Sequence, residues 1–207
     1  MRPPDGIDWV TPQVPGLGIE GTPEDWSLQG CADELAASLG GVDVWVGHDL
    51  GGVLAAMLAQ PGQTLVLSGT ALSLYWWMVR QTARPGLQRF FYQHYGGRRF
   101  IEQGALPEHR DALLKTFLDH GSDWSDRMRC VAKGMRPPRD LARRLRDCQV
   151  HLFWGTADPW YPRWVAEAIA RSTQAQVHWL ESGHFAPWEA APEFSRLLEA
   201  VLLERAR

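Results

Sequence analysis

The chain has 207 residues, 45% of them hydrophobic, which is enough for one domain with a core of its own. Its formal net charge of -3 at pH 7 carries no basic excess of the kind that binds nucleic acid or an anionic membrane surface, and the arginines between Arg136 and Arg146 read as a solvated helix face. The three cysteines, Cys31, Cys130 and Cys148, are odd in number and far apart, so they form neither a disulfide framework nor a metal-ligand spacing and fit a reducing cytosol.

The opening run MRPPDGIDWV lacks the apolar stretch of a signal peptide, and no later run approaches a membrane span. A soluble, cytoplasmic protein is therefore expected. IDWVTPQVPGLG reads as a short strand broken into a turn by Pro12, Pro15, Gly16 and Gly18. Leu28, Cys31, Ala32, Leu35, Ala36 and Leu39 then recur at helical spacing, with Gly40 at the C-terminal cap. Val42 to Val46 is a β-rich run, Gly52 to Gln60 a buried helix stopped by Pro61 and Gly62, and Thr64 to Gly69 a buried strand.

From Tyr75 to about Cys148 the pattern is helical, with no convincing strand. Pro107 opens a helix carrying Leu113, Leu114, Phe117 and Leu118 on one face, and Pro137 and Pro138 open another carrying Leu141 and Leu145. Strand and helix alternate again afterwards. Val150 to Gly155 is a strand, RWVAEAIARS a helix with Pro162 at its first turn, and Gln176 to Leu180 a strand. A last helix buries Phe194, Leu197, Leu198, Val201 and Leu202. Strands separated by helices predict an α/β fold, a mostly parallel sheet flanked by helices, with ligands at the carboxyl ends of its strands. The helical stretch 75–148 divides a core formed by 1–74 and 149–207.

Between the strand ending at Val46 and the helix beginning at Gly52 stands VGHDLGG, in which Gly47 and Gly51 flank Asp49. This spacing ordinarily presents a serine on a tight strand-to-helix turn, ready to attack a carbonyl. Asp158, in WGTADPWYP, and His184, in ESGHFAPWE, each follow a later strand, so all three residues gather at one edge of the sheet. Taken singly, Asp158 would read as an Asx-turn residue before Pro159 and His184 as a core or helix-start histidine. Their coincidence in three such loops argues for chemistry. His48 reads as a support for the turn. His94, His109, His120, His151 and His178 read as packing or surface residues without zinc spacing, so neither metal nor cofactor is expected.

The order of nucleophile, acid and histidine resembles the α/β-hydrolase superfamily. The resemblance runs from about Pro15 to the C-terminus through PGLG, the elbow VGHDLGG, the acid loop FWGTADPWYP and the histidine loop SGHFAPWEAAPEF. It implies that 75–148 is a helical cap inserted in an α/β-hydrolase core. An aspartate at the elbow is similar to the haloalkane dehalogenases and soluble epoxide hydrolases. That branch implies Asp49 as nucleophile, Asp158 as orienting acid and His184 as general base. The chemistry is consistent: a carboxylate with a reference pKa near ~3.9 is ionised at neutral pH without a base and suits displacement at an activated alkyl carbon. His184 would then activate water to hydrolyse the resulting ester. The implied substrate is a small apolar epoxide or alkyl halide. The alternatives are a hydrolase-like protein that binds a small ligand without turnover, and a slow esterase in which Asp158 and His184 activate water directly.

Two departures from the branch stand out. No His-Gly pair precedes the elbow, so the core reads as N-terminally shortened, with the Leu50 backbone N–H as its one assignable oxyanion donor. A sheet short of a strand has an edge that would admit self-association as a homodimer. Leu50 also stands where the dehalogenases commonly place a halide-binding tryptophan. Donors to the leaving group are therefore sought among Tyr75, Tyr92, Tyr95, Trp76, Trp77 and Trp160. The eleven tryptophans, several of them clustered, fit both core packing and an aromatic wall around an apolar ligand.

Overall fold

The computed structural model describes residues 7–14, 25–72, 98–119 and 136–205. Four strands, β1 Val44–His48, β2 Thr64–Ser68, β3 Gln149–Gly155 and β4 Gln176–Leu180, form one sheet in that spatial order. Every pairing is parallel; Val46 faces Val66, Leu67 faces Leu152, and Trp154 faces Trp179. Parallel neighbours need crossovers, and the helices between strands supply them.

The period-two alternation of the strands builds two cores. Leu65, Leu67, Val150, Leu152 and Trp154 point to one face. There they meet Leu28, Cys31, Ala32 and Leu35 of α1 (Leu28–Ser38) and Val53 to Ala56 of α2 (Leu50–Leu58). Val66, Phe153 and Leu180 point to the other face, against Phe194, Leu198 and Val201 of the C-terminal helix Ala191–Arg205. Such two-sided burial explains why the central strands β2 and β3 read as continuous apolar runs, while β1 and β4 are only partly buried.

The helices follow local signals. The Ser27 hydroxyl caps α1 by accepting the Gly30 N–H at 2.9 Å. The helix stops at Ser38, and its buried face is narrower than the sequence suggests: Ala36 is exposed and Leu39 lies beyond the last turn in extended conformation. After α2, Gly62 at φ 83° lets the chain turn back into β2. Between β2 and β3 the described elements are all helical: α3 Arg98–Gly104, α4 Arg110–Asp119 behind a 3-10 turn at Pro107–His109, and α5 Leu141–Arg144, which tightens into a 3-10 turn at Leu145–Asp147. Leu113, Leu114, Leu141 and Leu145 are buried as expected, while the side chains of Phe117 and Leu118 lie outside the described set. Beyond β3 come α6 Arg163–Thr173, started by Pro162 and closed by Gln174 in the left-handed region, then α7 Ala186–Glu189 and α8, the Ala191–Arg205 helix.

One expected element is corrected. Residues 7–14 form no strand. Pro12 has no N–H to give a ladder, and the apolar side chains pack instead, Trp9 against the Phe153 core and Val14 against the Trp154 core. Among the described residues no helix is long and apolar enough to cross a membrane.

Candidate active site

The turn between β1 and α2 is as tight as its glycines allow. Asp49 sits at φ 47° and ψ -118°, a backbone conformation that costs a non-glycine residue roughly 1–3 kcal/mol and persists only when its surroundings impose it. Here its N–H donates to the Ser68 carbonyl at 3.1 Å, and its own carbonyl accepts the Thr70 hydroxyl at 2.7 Å. A Cβ on Gly47 would lie 2.5 Å from Gly52 Cα, and one on Gly52 would lie 2.8 Å from Thr70 Cβ, whereas one on Gly51 would meet open space. The glycine that the packing requires after Asp49 is therefore Gly52; Gly51, singled out by the motif spacing, meets no such constraint.

His48 supports this turn. Its Nδ1 lies 3.1 Å from the Ser68 carbonyl, the same oxygen that takes the Asp49 N–H. Burial pushes its pKa down to about 3, with His184 adding to the effect and the Ser68 bond opposing it. The neutral ring thus donates from Nδ1, and it lies 4.8 Å from the His184 ring, centre to centre.

Asp158 and His184 are brought together across the ends of β3 and β4. His184 Nδ1 lies 3.0 Å from Asp158 Oδ2, and both side chains are only 1% exposed. The other oxygen, Asp158 Oδ1, accepts the backbone N–H groups of Trp160 and Tyr161, each at 2.9 Å. This Asx-type turn fixes the carboxylate, so the same residue is both turn former and histidine partner. The two loops touch so closely that a Cβ on Gly155 would lie 2.0 Å from the Gly183 carbonyl oxygen.

The charges of the three side chains act on one another. Burial pulls the His184 pKa down, but its bond to Asp158 and the charges of Asp158, Asp49 and Glu189 outweigh that, leaving it above the ordinary histidine value. Burial raises the pKa of the Asp49 carboxyl, and Asp158 adds to this; His184, the Tyr161 hydroxyl and the Leu50 N–H pull it back only in part. The Leu50 N–H, the oxyanion donor expected from the sequence, is thus among the groups that favour the charged Asp49.

Three contributors had not been singled out in the sequence. Tyr161 donates its hydroxyl to Asp49 Oδ1 at 3.2 Å, and its ring lies 5.5 Å from that of His184. Glu189 accepts backbone N–H groups from Leu106 at 2.7 Å, Phe185 at 2.9 Å and Gly183 at 3.2 Å. Phe100 of α3 stacks on Trp160 at 5.5 Å and meets the His184 ring edge-on at 5.7 Å. The helical segment is also tied to the histidine loop by the His184 N–H, which donates to the Gly104 carbonyl at 2.7 Å. A tyrosine three residues past the acid was the one signal available for Tyr161.

Of the residues named from sequence as substrate contacts, Trp160 stands beside the site, with its N–H on Asp158 and its ring on Phe100. Tyr75, Trp76, Trp77, Tyr92 and Tyr95 lie outside the described residues. Among the described residues no group of three or more His, Cys, Asp or Glu is placed to hold a metal.

The profile of the Alpha/beta hydrolase family matches residues 3–197 of the chain. No curated protein matches it. Solved structures similar in fold include an esterase from Thermogutta terrifontis with malate bound, at TM-score 0.75 and 21% identity, covering 93% of this chain and 78% of that one. An enol-lactonase from Burkholderia xenovorans LB400 superposes at TM-score 0.67 and 16% identity over 92% of this chain and 78% of its own. An esterase from Exiguobacterium antarcticum does so at 0.67 and 18%, over 91% and 78%. At these identities the likeness establishes the fold.

Proposed function

The chain belongs to the alpha/beta hydrolase family, and from that premise we propose that it hydrolyses a small apolar epoxide or alkyl halide through an ester formed on Asp49. The observation that carries this reading is the half-buried Asp49 carboxylate, held on the strained elbow and electrically coupled to a buried His184–Asp158 pair. In this reading the described helices of 75–148 belong to a cap, and Phe100 of α3 with Trp160 forms part of an apolar wall beside His184.

In the first half-reaction a carboxylate oxygen of Asp49 attacks the substrate carbon. The bond from carbon to halogen, or to the epoxide oxygen, breaks, and its electron pair leaves with the halide or with the epoxide oxygen, which takes up a proton from solvent. In the second, His184, held in one tautomer by Asp158, takes a proton from water through Nε2 while the water oxygen attacks the ester carbon of Asp49. Collapse of the adduct breaks the bond to the alkoxide, which recovers the proton from His184; Asp49 is left as the carboxylic acid with one oxygen from water, and releases that proton to solvent to restore the carboxylate. The two steps are coupled by charge. Making the ester neutralises Asp49 and so withdraws one of the charges that raise the His184 pKa. The general base is thus released when it is needed.

His184→Gln is expected to stop the second step and leave the first intact. With styrene oxide and bromobutane as probes, intact-mass spectra should show one alkyl group retained, and digestion should place it on the Asp49 peptide. If neither probe leaves an adduct on this variant, the ester mechanism is wrong.

A second reading has support in the completeness of the His184–Asp158 pair without Asp49 and in the esterases and lactonase that share the fold. In it the pair activates water directly on a carboxylic ester. Undiminished ester hydrolysis by Asp49→Ala would favour it over the Asp49 ester.

A further inference from the structure

Among the described residues, Tyr161 is a side chain bonded to the Asp49 carboxylate that the scheme above leaves without a task. Its position is fixed from several sides. Its N–H donates to Asp158 Oδ1 at 2.9 Å, its carbonyl accepts the Trp154 indole N–H at 2.8 Å, and Pro162 follows it. The ring is 8% exposed and is wedged between Trp154 and His184. The hydroxyl emerges from this packing to meet Asp49 Oδ1 at 3.2 Å, longer than the usual O–H···O bond, with room to tighten as charge builds on that oxygen.

A hydrogen-bonded carboxylate oxygen is the poorer nucleophile, because its lone-pair density is already engaged. Attack on the alkyl carbon therefore falls to Oδ2, and Oδ1 becomes the carbonyl oxygen of the ester. That is the oxygen on which negative charge builds when water adds to the ester carbon. A donor already aimed there, on a side chain that need not reorganise, is what an oxyanion site requires.

Resting on the Asp49-ester reading, we propose that the Tyr161 hydroxyl is a catalytic group of ester hydrolysis, donating to the oxyanion formed on Asp49 Oδ1. The balance is simple. Water loses a proton to His184 and bonds to the ester carbon, and the carbonyl electron pair moves onto Oδ1. Tyr161 donates a hydrogen bond there and keeps its proton throughout. When the tetrahedral adduct collapses, the pair returns, the alkoxide departs with the proton from His184, and the carboxylic acid left at Asp49 gives its proton to solvent.

The proposal assigns opposite signs to the two half-reactions. During alkylation the charge on the carboxylate is being lost, so the hydrogen bond weakens and opposes the step slightly. During hydrolysis a neutral carbonyl becomes an anion, so the same bond strengthens in the transition state and favours the step. A tyrosine that only packs against the elbow would disturb both steps in the same direction.

The test is pre-steady-state mass spectrometry on wild type, Tyr161→Phe and His184→Gln, with styrene oxide and bromobutane as probes. Tyr161→Phe is expected to form the Asp49 adduct at least as fast as wild type and to hydrolyse it about 10²–10³-fold more slowly, the usual loss for one oxyanion donor. Adduct should therefore accumulate during turnover, with kcat and KM falling together. An adduct on His184→Gln but none accumulating on Tyr161→Phe overturns the role of Tyr161 and leaves the ester mechanism standing. No adduct on His184→Gln with either probe overturns the mechanism and the role together. Should Tyr161→Phe fold poorly, 3-fluorotyrosine at position 161 keeps the shape and strengthens the donor: faster adduct decay below the pKa of the fluorophenol supports the assignment, and unchanged decay overturns it.

Discussion

At the scale of single residues the site is a balance of charges. Two of its groups, Asp49 and His184, have pKa values above their ordinary ones, the first because its burial outweighs its donors and the second because its carboxylate neighbours outweigh its burial. Alkylation needs Asp49 ionised, so its rate should fall with acid from a midpoint above the reference carboxylate value of ~3.9. Ester hydrolysis needs His184 neutral, so its rate should rise with pH. In the ester the Asp49 charge is gone, so the midpoint for adduct decay should lie below the His184 pKa of the free enzyme. An imidazole NMR titration of the free enzyme, set beside adduct decay followed by quenched mass spectrometry, checks the order; a decay midpoint at or above the free value contradicts it. Asp49, Asp158 and His184 were legible in the sequence because each follows a strand that its own apolar run announces. Tyr161 was not, because what gives it a role is an approach to Asp49 across 112 residues of chain, and no local pattern records which way a ring will point. Glu189 was hidden for a similar reason: its partners are backbone N–H groups, which every sequence supplies.

At the scale of elements the loops are held by backbone groups captured by a few buried side chains. Glu189 joins the start of the Pro107 turn to the histidine loop by accepting the N–H groups of Leu106, Gly183 and Phe185. A buried donor left unpaired costs about 1–3 kcal/mol, so Glu189→Ala, which strands three with some relief from entering water, should lose about 2–4 kcal/mol in urea unfolding. Glu189→Gln keeps an acceptor oxygen and should lose less. A loss indistinguishable from zero in the alanine variant would show that the loop does not depend on this carboxylate. Element types were readable because apolar spacing and Gly/Pro punctuation agreed: α2 runs Leu50–Leu58, ending two residues short of the expected Gln60 and ahead of Pro61 and Gly62, and Pro162 starts α6. The N-terminal run misled because Trp9 and Val10 look β-prone, while pairing depends on a free ladder and on N–H groups that Pro12 interrupts. The motif spacing marks Gly51, but the steric need falls on Gly52, because it is set by Thr70 beyond β2 and not by the turn itself.

At the scale of the molecule, the sheet makes one edge chemically special. Parallel strands in the order β1-β2-β3-β4 bring three separate loops to their carboxyl ends, and the two cores behind them, around Trp154 and Phe153, hold those ends rigid. The helical segment between β2 and β3 closes on that edge through Phe100, Gly104 and Leu106. This architecture was legible from the return of strand-helix alternation after the helical stretch, whereas the contacts by which that stretch meets the histidine loop were not, since they are made by backbone carbonyls and amides. The whole arrangement has a purpose in the proposed scheme only if Asp49 itself carries the substrate. The most direct measurement is a single turnover in heavy-oxygen water with enzyme in excess, followed by digestion and mass analysis of protein and product. The account predicts that the peptide holding Asp49 gains the heavy oxygen while the first product molecule carries none of it. Label in the product with none in that peptide would contradict it.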